Sequence, residues 1–120
     1  MRPIYKIQSN YKLHAEWISK EKEFGVVTKE FIPKNSIIEY SYCIPVNRDE
    51  FRFYRYGIAG VPNFIASGFG SLYNHSETPN IKWEHTSNIK IIMFKSLRDI
   101  EPNEELCHRY GDYWKSKNKK

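Results

Sequence analysis

The stretch from residue 68 to residue 80, GFGSLYNHSETPN, most constrains what this chain can fold into. Gly68 and Gly70 bracket Phe69, so the backbone can bend there, or approach another segment closely, where a side chain would block it. An apolar entry then leads directly into three hydrogen-bonding residues, Asn-His-Ser, and a Pro-Asn pair closes the stretch. This order predicts backbone that passes through a core and delivers polar groups to a site. A glycine-rich hairpin connection is the alternative interpretation of the stretch alone.

Short runs of β-branched and aromatic residues predict a mostly β protein. The segment 48–56 is compatible with a short helix or a strand, and the composition of 57–63 predicts a loop. Pro33 and Asn35 predict a turn before the strongest strand signal. The predicted strands are one or two in 3–18 with a turn at 9–10, then 24–28, 36–46, and a hairpin of 81–85 with 89–94.

The length of 120 residues suits one domain with one core. No apolar run approaches the ~18 residues of a membrane span, and residues 1–20 lack the apolar centre of a signal peptide. Cys43 and Cys107 are far apart and form no CxxC pair. We therefore expect an intracellular, reducing location and no cysteine-based zinc site.

The formal net charge of +5 first suggests a nucleic-acid partner. Four of the 19 basic residues, however, lie in the last six positions, which leaves 15 basic against 14 acidic residues in 1–114. The run RFYRYG at 52–57 interleaves aromatic rings with arginines, as in proteins that hold single strands. A basic, aromatic nucleic-acid-binding module is therefore one alternative, weakened by the nearly neutral body of the chain.

Four segments in a fixed order resemble the SET-domain protein-lysine methyltransferases. They are FGVV (24–27) with IPKNSIIEY (32–40), GSLYNHSETPN (70–80), LRDIEPNEEL (97–106) and HRYGDYW (108–114). The NHSxxPN loop and the DIxxxEEL turn before a Tyr-Gly pair are shared marks of that family. The resemblance covers about residues 20–114 and is closest to the minimal SET proteins of large DNA viruses and bacteria, chlorella-virus type.

The resemblance implies a mostly β SET fold of small antiparallel sheets with a C-terminal pseudoknot. It implies an N-terminal strand extension (1–19), a SET domain (20–114) and a basic flexible tail (115–120). S-adenosylmethionine would bind on one face, and a lysine of a protein substrate, such as a histone tail, would enter from the other. The transfer is an in-line displacement that needs alignment and a neutral amine, and no metal. A homodimer is plausible, with a cytoplasmic location, or the host nucleus if the protein is viral; no membrane partner is expected.

The resemblance also assigns roles to residues. Tyr110 falls on the family's essential tyrosine and Tyr40 on the second channel tyrosine, so these two are the catalytic candidates. The residues implied at the cofactor are Phe24, Gly25, Tyr73, Asn74, His75 and Trp114. The residues implied along the substrate channel are Tyr42, Trp83 and His108, of which His108 and Trp83 would influence how many methyl groups are added.

Three positions depart from the family pattern. Glu23 stands where the opening motif usually has its first glycine, no glycine follows Tyr40 by two positions, and Ser71-Leu72-Tyr73 replaces Arg-Phe-Ile. The altered glycine motif bears on cofactor affinity and leaves a second alternative open. That alternative is a catalytically weak SET-fold interaction module.

Overall fold

A computed structural model describes residues 5–45, 55–58 and 61–109. Within these ranges the chain forms nine strands and one short 3₁₀ turn, Gly70–Leu72. The strands are β1 Leu13–Ser19, β2 Glu23–Thr28, β3 Ile37–Pro45, β4 Arg55–Ile58, β5 Val61–Ala66, β6 Asn74–His75, β7 Ile81–His85, β8 Ile91–Ser96 and β9 Glu105–His108. The expected mostly β class is confirmed.

The strands form two sheets. One has four strands in the order β1-β2-β9-β6, and the other has five in the order β4-β5-β3-β8-β7. Every neighbouring pair is antiparallel except β6 and β9, which run parallel. In the described ranges no helix is long and apolar enough to cross a membrane.

The core lies between the sheets and is built mainly from branched aliphatic side chains, with three buried aromatic rings. Val26 of β2 and Leu106 of β9 are fully buried from one sheet, and Ile38 and Ile92 from the other. Tyr73 packs on Phe94, with ring centroids 4.7 Å apart. Burial of such side chains contributes roughly 1.5–3 kcal/mol each, so these strands are held mainly by their inward faces.

Most of the predicted strands are confirmed, and one predicted loop is wrong. Strands occupy 24–28 and most of 36–46, and the hairpin of β7 and β8 is present. The predicted turn at 33–35 is also present, with Asn35 at φ 64°. Residues 57–58 and 61–63, in contrast, belong to β4 and β5, and 59–60 lie outside the described ranges. Pro62, which lacks an N–H donor, precedes Phe64–Ala66, the residues of β5 that pair with β3 within the described ranges. Residues 48–54 lie outside the described ranges.

The stretch 68–80 is not a simple hairpin connection. Gly68 has φ +64°, a conformation that favours glycine. A Cβ on Gly70 would lie 2.5 Å from the Cβ of Ala66. The backbone then forms β6 beside β9, which is enclosed between β2 and β6. The chain beyond residue 109, which the pseudoknot expectation concerns, is outside the described ranges.

Asn80 closes this stretch by bonding to the backbone of β9. Its Nδ2 donates to the carbonyl of Glu105 at 2.9 Å, and its Oδ1 accepts from the N–H of Cys107 at 2.9 Å. Its own N–H donates to the carbonyl of Cys107 at 3.1 Å. Asn80 is 4% exposed, so water cannot readily replace these partners. The Asn80 side chain therefore satisfies two backbone groups of β9 that a neighbouring strand would otherwise satisfy.

We expect Asn80→Ala to lower the free energy of unfolding by about 3 kcal/mol, because two interior backbone groups lose their partners. Denaturant titration followed by tryptophan fluorescence measures the change, with a fall in Tm of roughly 10 °C as a second readout. Asn10→Ala is the matched control, since the exposed Asn10 amide makes one bond, to the carbonyl of Ile37. Equal midpoints for Asn80→Ala and the parent protein would contradict this role.

Candidate active site

Asn74 lies where β6 meets the end of β2. Its Nδ2 donates to Glu105 Oε2 at 2.7 Å and lies 3.4 Å from the carbonyl oxygen of Phe24. Both bonds use the amide nitrogen, so the amide oxygen is the group that Asn74 can offer to a ligand. The structure thus brings together two of the predicted cofactor residues, Phe24 and Asn74.

Glu105 completes this cluster, although it was not among the predicted site residues. Its Oε1 accepts from Lys22 Nζ at 3.1 Å, while its Oε2 holds Asn74. The hydrogen bond to Glu105 raises the pKa of Lys22, so the lysine remains charged. Glu105 is the second acid of the EEL motif, which was the available signal. Its partner Lys22 could not be identified from sequence, because the pair joins positions 83 residues apart.

Gly25 lies directly beneath the Asn74–Glu105 bond. It is buried, and a Cβ placed on it would contact Glu105 Oε2 and lie 2.6 Å from Asn74 Nδ2 and 2.8 Å from Ile18 Cγ1. The absence of a side chain therefore lets Asn74 and Glu105 close over β2. Residue 25, one of the predicted cofactor residues, must therefore be glycine for the Asn74–Glu105 bond to form.

The missing first glycine of the opening motif has a visible consequence. Glu23 begins β2 with φ 60°, in the left-handed region that L side chains rarely adopt. A strain of roughly 1–2 kcal/mol follows from that conformation. A glutamate thus adopts here a conformation that glycine would adopt without this strain.

His75 follows Asn74 and pairs with β9 opposite His108. Its Nε2 is 3.0 Å from Glu77 Oε1, and Glu77 also lies 3.8 Å from Arg109 Nε. The His75 side chain is mostly buried. The backbone of His75 continues from Asn74 and pairs with the same edge of β9.

Two exposed aromatic rings border the Asn74 cluster. Phe24 is 54% exposed and packs edge to face against Trp17, which is 59% exposed, with centroids 5.6 Å apart. Trp17 was not among the predicted site residues. Trp17 could not be identified from sequence, because its exposure and its contact with Phe24 depend on the pairing of β1 with β2.

Tyr73, by contrast, points into the core. It is 1% exposed, and its hydroxyl donates to Glu39 Oε1 at 2.6 Å. The side chain therefore has no path to a ligand on the surface, and any contact of Tyr73 with a cofactor would be made by its backbone.

The predicted channel residues divide between the two faces of one sheet. Tyr40 and Tyr42 share a face of β3, opposite the face of the buried Glu39. Trp83 is in register with Phe94, which pairs with Glu39, so Trp83 lies on the core side.

The contacts of these side chains agree with that division. Tyr40 packs against Tyr5 with centroids 5.0 Å apart, whereas Trp83 packs against Phe64 at 6.4 Å. The structure therefore does not bring Trp83 together with Tyr40 and Tyr42, because β-strand alternation and register separate them. From sequence alone, the register that decides this was not visible.

His108 is also on the core side. It is 5% exposed and lies edge to face with Phe94, with centroids 6.4 Å apart. Burial, with a smaller contribution from His75, lowers the pKa of His108 to about 4, so the ring is neutral near pH 7. Tyr110 and Trp114, the remaining predicted site residues, lie outside the described ranges.

Of the two cysteines, Cys107 lies beside Glu105 and Lys22 of the cluster. Cys43 and Cys107 are both buried and free. Burial raises the pKa of the Cys107 thiol to about 12, so this thiol is protonated at neutral pH and is not a nucleophile. Among the described residues, no group of three or more His, Cys, Asp or Glu side chains has an arrangement that could hold a metal ion.

Comparison with known proteins gives one consistent family. The SET domain family matches residues 23–111. The Schizosaccharomyces pombe protein named "Histone-lysine N-methyltransferase, H3 lysine-37 specific" is 32% identical over 104 residues, which make up 79% of this chain and 71% of the relative.

Two solved structures share the fold. One is a Plasmodium falciparum protein assigned as a histone methyltransferase, with a TM-score of 0.70, 24% identity, and coverage of 88% of this chain and 97% of that one. The other is KRYPTONITE in complex with mCHG DNA and SAH, with a TM-score of 0.65, 24% identity, and coverage of 87% of this chain and 24% of that one. The family match over most of the domain and the identity to the fungal relative show that the chain belongs to the SET-domain family of protein-lysine methyltransferases.

Proposed function

We propose that this protein is an S-adenosylmethionine-dependent protein-lysine N-methyltransferase whose substrate is a histone or another protein with an exposed lysine. The observation on which this rests is the Gly25–Asn74–Glu105 cluster within a SET domain. Support for the donor comes from the family and from the SAH bound to the structural relative KRYPTONITE. Support for a histone substrate comes from the name of the S. pombe relative.

The residues of the cluster fit the methionine end of the donor. An ammonium group donates hydrogen bonds, and the Asn74 amide oxygen is an acceptor beside the Glu105 carboxylate. The exposed face of Phe24 provides apolar surface at the same edge. When bound, S-adenosylmethionine supplies an electrophilic methyl group on a sulfonium. The chain's task is to hold that methyl group in line with a lysine amine and to exclude water.

In this proposal Tyr110 and Tyr40 act on the lysine. Tyrosine hydroxyls near the amine would orient its lone pair toward the methyl group, and aromatic faces suit an ammonium and then a methylated amine. Burial of the lysine lowers its pKa and favours the neutral, reactive amine. The Nζ–methyl bond forms as the sulfur–methyl bond breaks, and the amine proton leaves to solvent.

The test is methyl transfer from labelled S-adenosylmethionine to core histones and to a bacterial lysate. We expect label on a protein lysine, and binding of S-adenosylhomocysteine by calorimetry. Tyr110→Phe serves as the control with intact binding and weak transfer. Absence of both transfer and cofactor binding in the parent protein would overturn the proposal in favour of a SET-fold interaction module.

The number of methyl groups transferred is a further part of the proposal. His108 is buried and neutral, and it occupies the position where many family members have Phe or Tyr. We expect His108→Phe to change the ratio of mono-, di- and trimethyl products, because ring size and hydrogen bonding set the space for a methylated amine. Mass spectrometry of a methylated peptide measures the ratio. An unchanged ratio, at comparable turnover, would remove His108 from this role.

Several remaining expectations belong to the same proposal. We place the protein among minimal SET proteins of the viral or bacterial type, inside the cell or in the nucleus of a host. We also propose a homodimer, and a SET domain over residues 20–114 with an N-terminal strand extension and a basic tail.

A further inference from the structure

An acid lies in the core between the proposed cofactor segment and β3. Glu39 is 1% exposed, and its Oε1 accepts from the Tyr73 hydroxyl at 2.6 Å. Its Oε2 faces the N–H of Phe69 at 3.4 Å. A Cβ on Gly68 would lie 2.9 Å from the same oxygen, so the turn at φ +64° closes over the carboxyl group. The stretch 68–73 is therefore built around this one side chain.

The two partners are adjacent in the chain to proposed site residues. Tyr73 immediately precedes Asn74, and Glu39 immediately precedes Tyr40. The Tyr73 ring is further fixed by Phe94, which also pairs with Glu39 across β3 and β8. The Glu39–Tyr73 bond thus links the segment that presents Asn74 to the strand that presents Tyr40.

Linking two segments through a buried acid costs free energy of desolvation. Burial raises the pKa of the Glu39 carboxyl to about 7, while the bonds from Tyr73 and Phe69 lower it in part. An apolar side chain of similar volume would avoid the desolvation cost. An acid does, however, provide a directional bond that fixes the rotation of the tyrosine and the backbone after it.

We propose that Glu39 and Tyr73 form a positioning pair that sets the placement of Asn74 relative to β3, and so couples cofactor binding to alignment of the substrate lysine. This inference deepens the proposed function and rests on it. Neither residue touches the reacting atoms. Both act through the backbone of their neighbours.

The pair has a pH signature, because the buried Glu39 carboxyl, bonded to Tyr73, has a pKa of about 7. Tyr73 is the titratable side chain in contact with the carboxyl, and Ser9 and Phe94 are the strand neighbours of Glu39. His108 lies behind Phe94 and is neutral above about pH 4. Since an ionised carboxylate accepts a stronger hydrogen bond, the link tightens as pH rises through about 7.

Stability changes in the opposite direction with pH. The carboxyl pKa is raised in the folded protein from 4.5 to about 7, so this contribution is fully present below pH 4.5 and is lost as pH rises through 7. Glu39→Gln has no proton to lose. We therefore expect the Tm of Glu39→Gln to rise relative to the parent between pH 5 and pH 8.

The experiment measures S-adenosylhomocysteine affinity and kcat/KM for Glu39→Gln, Tyr73→Phe and the double variant. Each single change should weaken binding by about five-fold, the loss expected for one hydrogen bond, and the double variant should be no worse than either single one. Glu101→Gln is the control, because it removes an exposed carboxylate from a turn away from the pair. From pH 6 to pH 8 the parent should gain affinity relative to Glu39→Gln.

Two results would overturn the inference. In the first, both single variants bind and turn over within two-fold of the parent, even though their Tm values fall; the pair is then structural only. In the second, parent and Glu39→Gln show the same pH dependence of affinity. Failure of the proposed function is distinct, because it appears in the parent protein as absence of cofactor binding and methyl transfer.

Discussion

Gly25→Ala is expected to weaken S-adenosylmethionine binding by at least about 100-fold and to reduce methyl transfer accordingly, equivalent to roughly 2.7 kcal/mol. The added Cβ would contact Glu105 Oε2 and lie 2.6 Å from Asn74 Nδ2. Neither atom can withdraw without cost, because Glu105 also holds Lys22 and Asn74 continues into β6 beside β9. The bond that aims the Asn74 amide oxygen must therefore break or tilt.

The same substitution should also destabilise the fold, since the third contact of the new Cβ is Ile18 Cγ1 at 2.8 Å. Overpacking of this kind costs typically 1–3 kcal/mol. A core substitution elsewhere in the chain separates the two effects. Ile32→Ala removes a fully buried side chain whose backbone pairs with Ile100 and not with the Asn74 cluster, and such a truncation costs about 2–5 kcal/mol.

Calorimetric titration with S-adenosylhomocysteine, at a temperature where both variants are folded, measures the difference. We expect Ile32→Ala to lose stability and keep affinity within a few-fold of the parent, whereas Gly25→Ala loses both. Near-parental affinity in folded Gly25→Ala would mean that the Asn74–Glu105 bond is not needed at the donor site.

Local composition was enough to predict much of the fold. The β-branched run at 24–28 and the turn at Asn35 depend on neighbouring residues, so the sequence reveals them directly. Pairing between strands is different, because it joins distant positions. Residues 57–58 and 61–63 were misassigned even though their pairing is local: their glycine and proline favour a loop, whereas β4 and β5 pair with each other, with Ile58 opposite Val61.

The residues of the candidate site show the same difference between local signals and long-range pairing. The NHSxxPN and EEL motifs identified Asn74 and the acidic turn as segments, whereas the Asn74–Glu105 bond appears only when β6 and β9 are set side by side. Likewise, Trp83 could be placed on the core side only after its register with Phe94 was known. Glu39 was equally hidden, since an acid in the middle of a strand gives no local sign of being buried.

Tyr110→Phe is expected to lower kcat by about 100-fold or more, while S-adenosylhomocysteine affinity stays close to that of the parent. Removing one properly placed hydroxyl that orients or deprotonates a reacting group costs about 10²–10³ in rate. The phenyl ring remains, so the apolar wall of the channel and the aromatic contact with the lysine remain as well. A loss confined to kcat would therefore identify the hydroxyl, rather than the ring, as the active group.

The position of Tyr110 makes this a sharp test. It follows β9 by two residues, and β9 is fixed on one side by β2 and on the other by the segment that presents Asn74. Tyr113→Phe is the control, because it removes a hydroxyl three residues later that has no proposed role. Single-turnover methylation of a histone substrate, measured beside cofactor binding, compares the variants. If Tyr110→Phe turned over within three-fold of the parent, the essential tyrosine would have to be sought elsewhere, with Tyr40 on the exposed side of β3 as the next residue to replace.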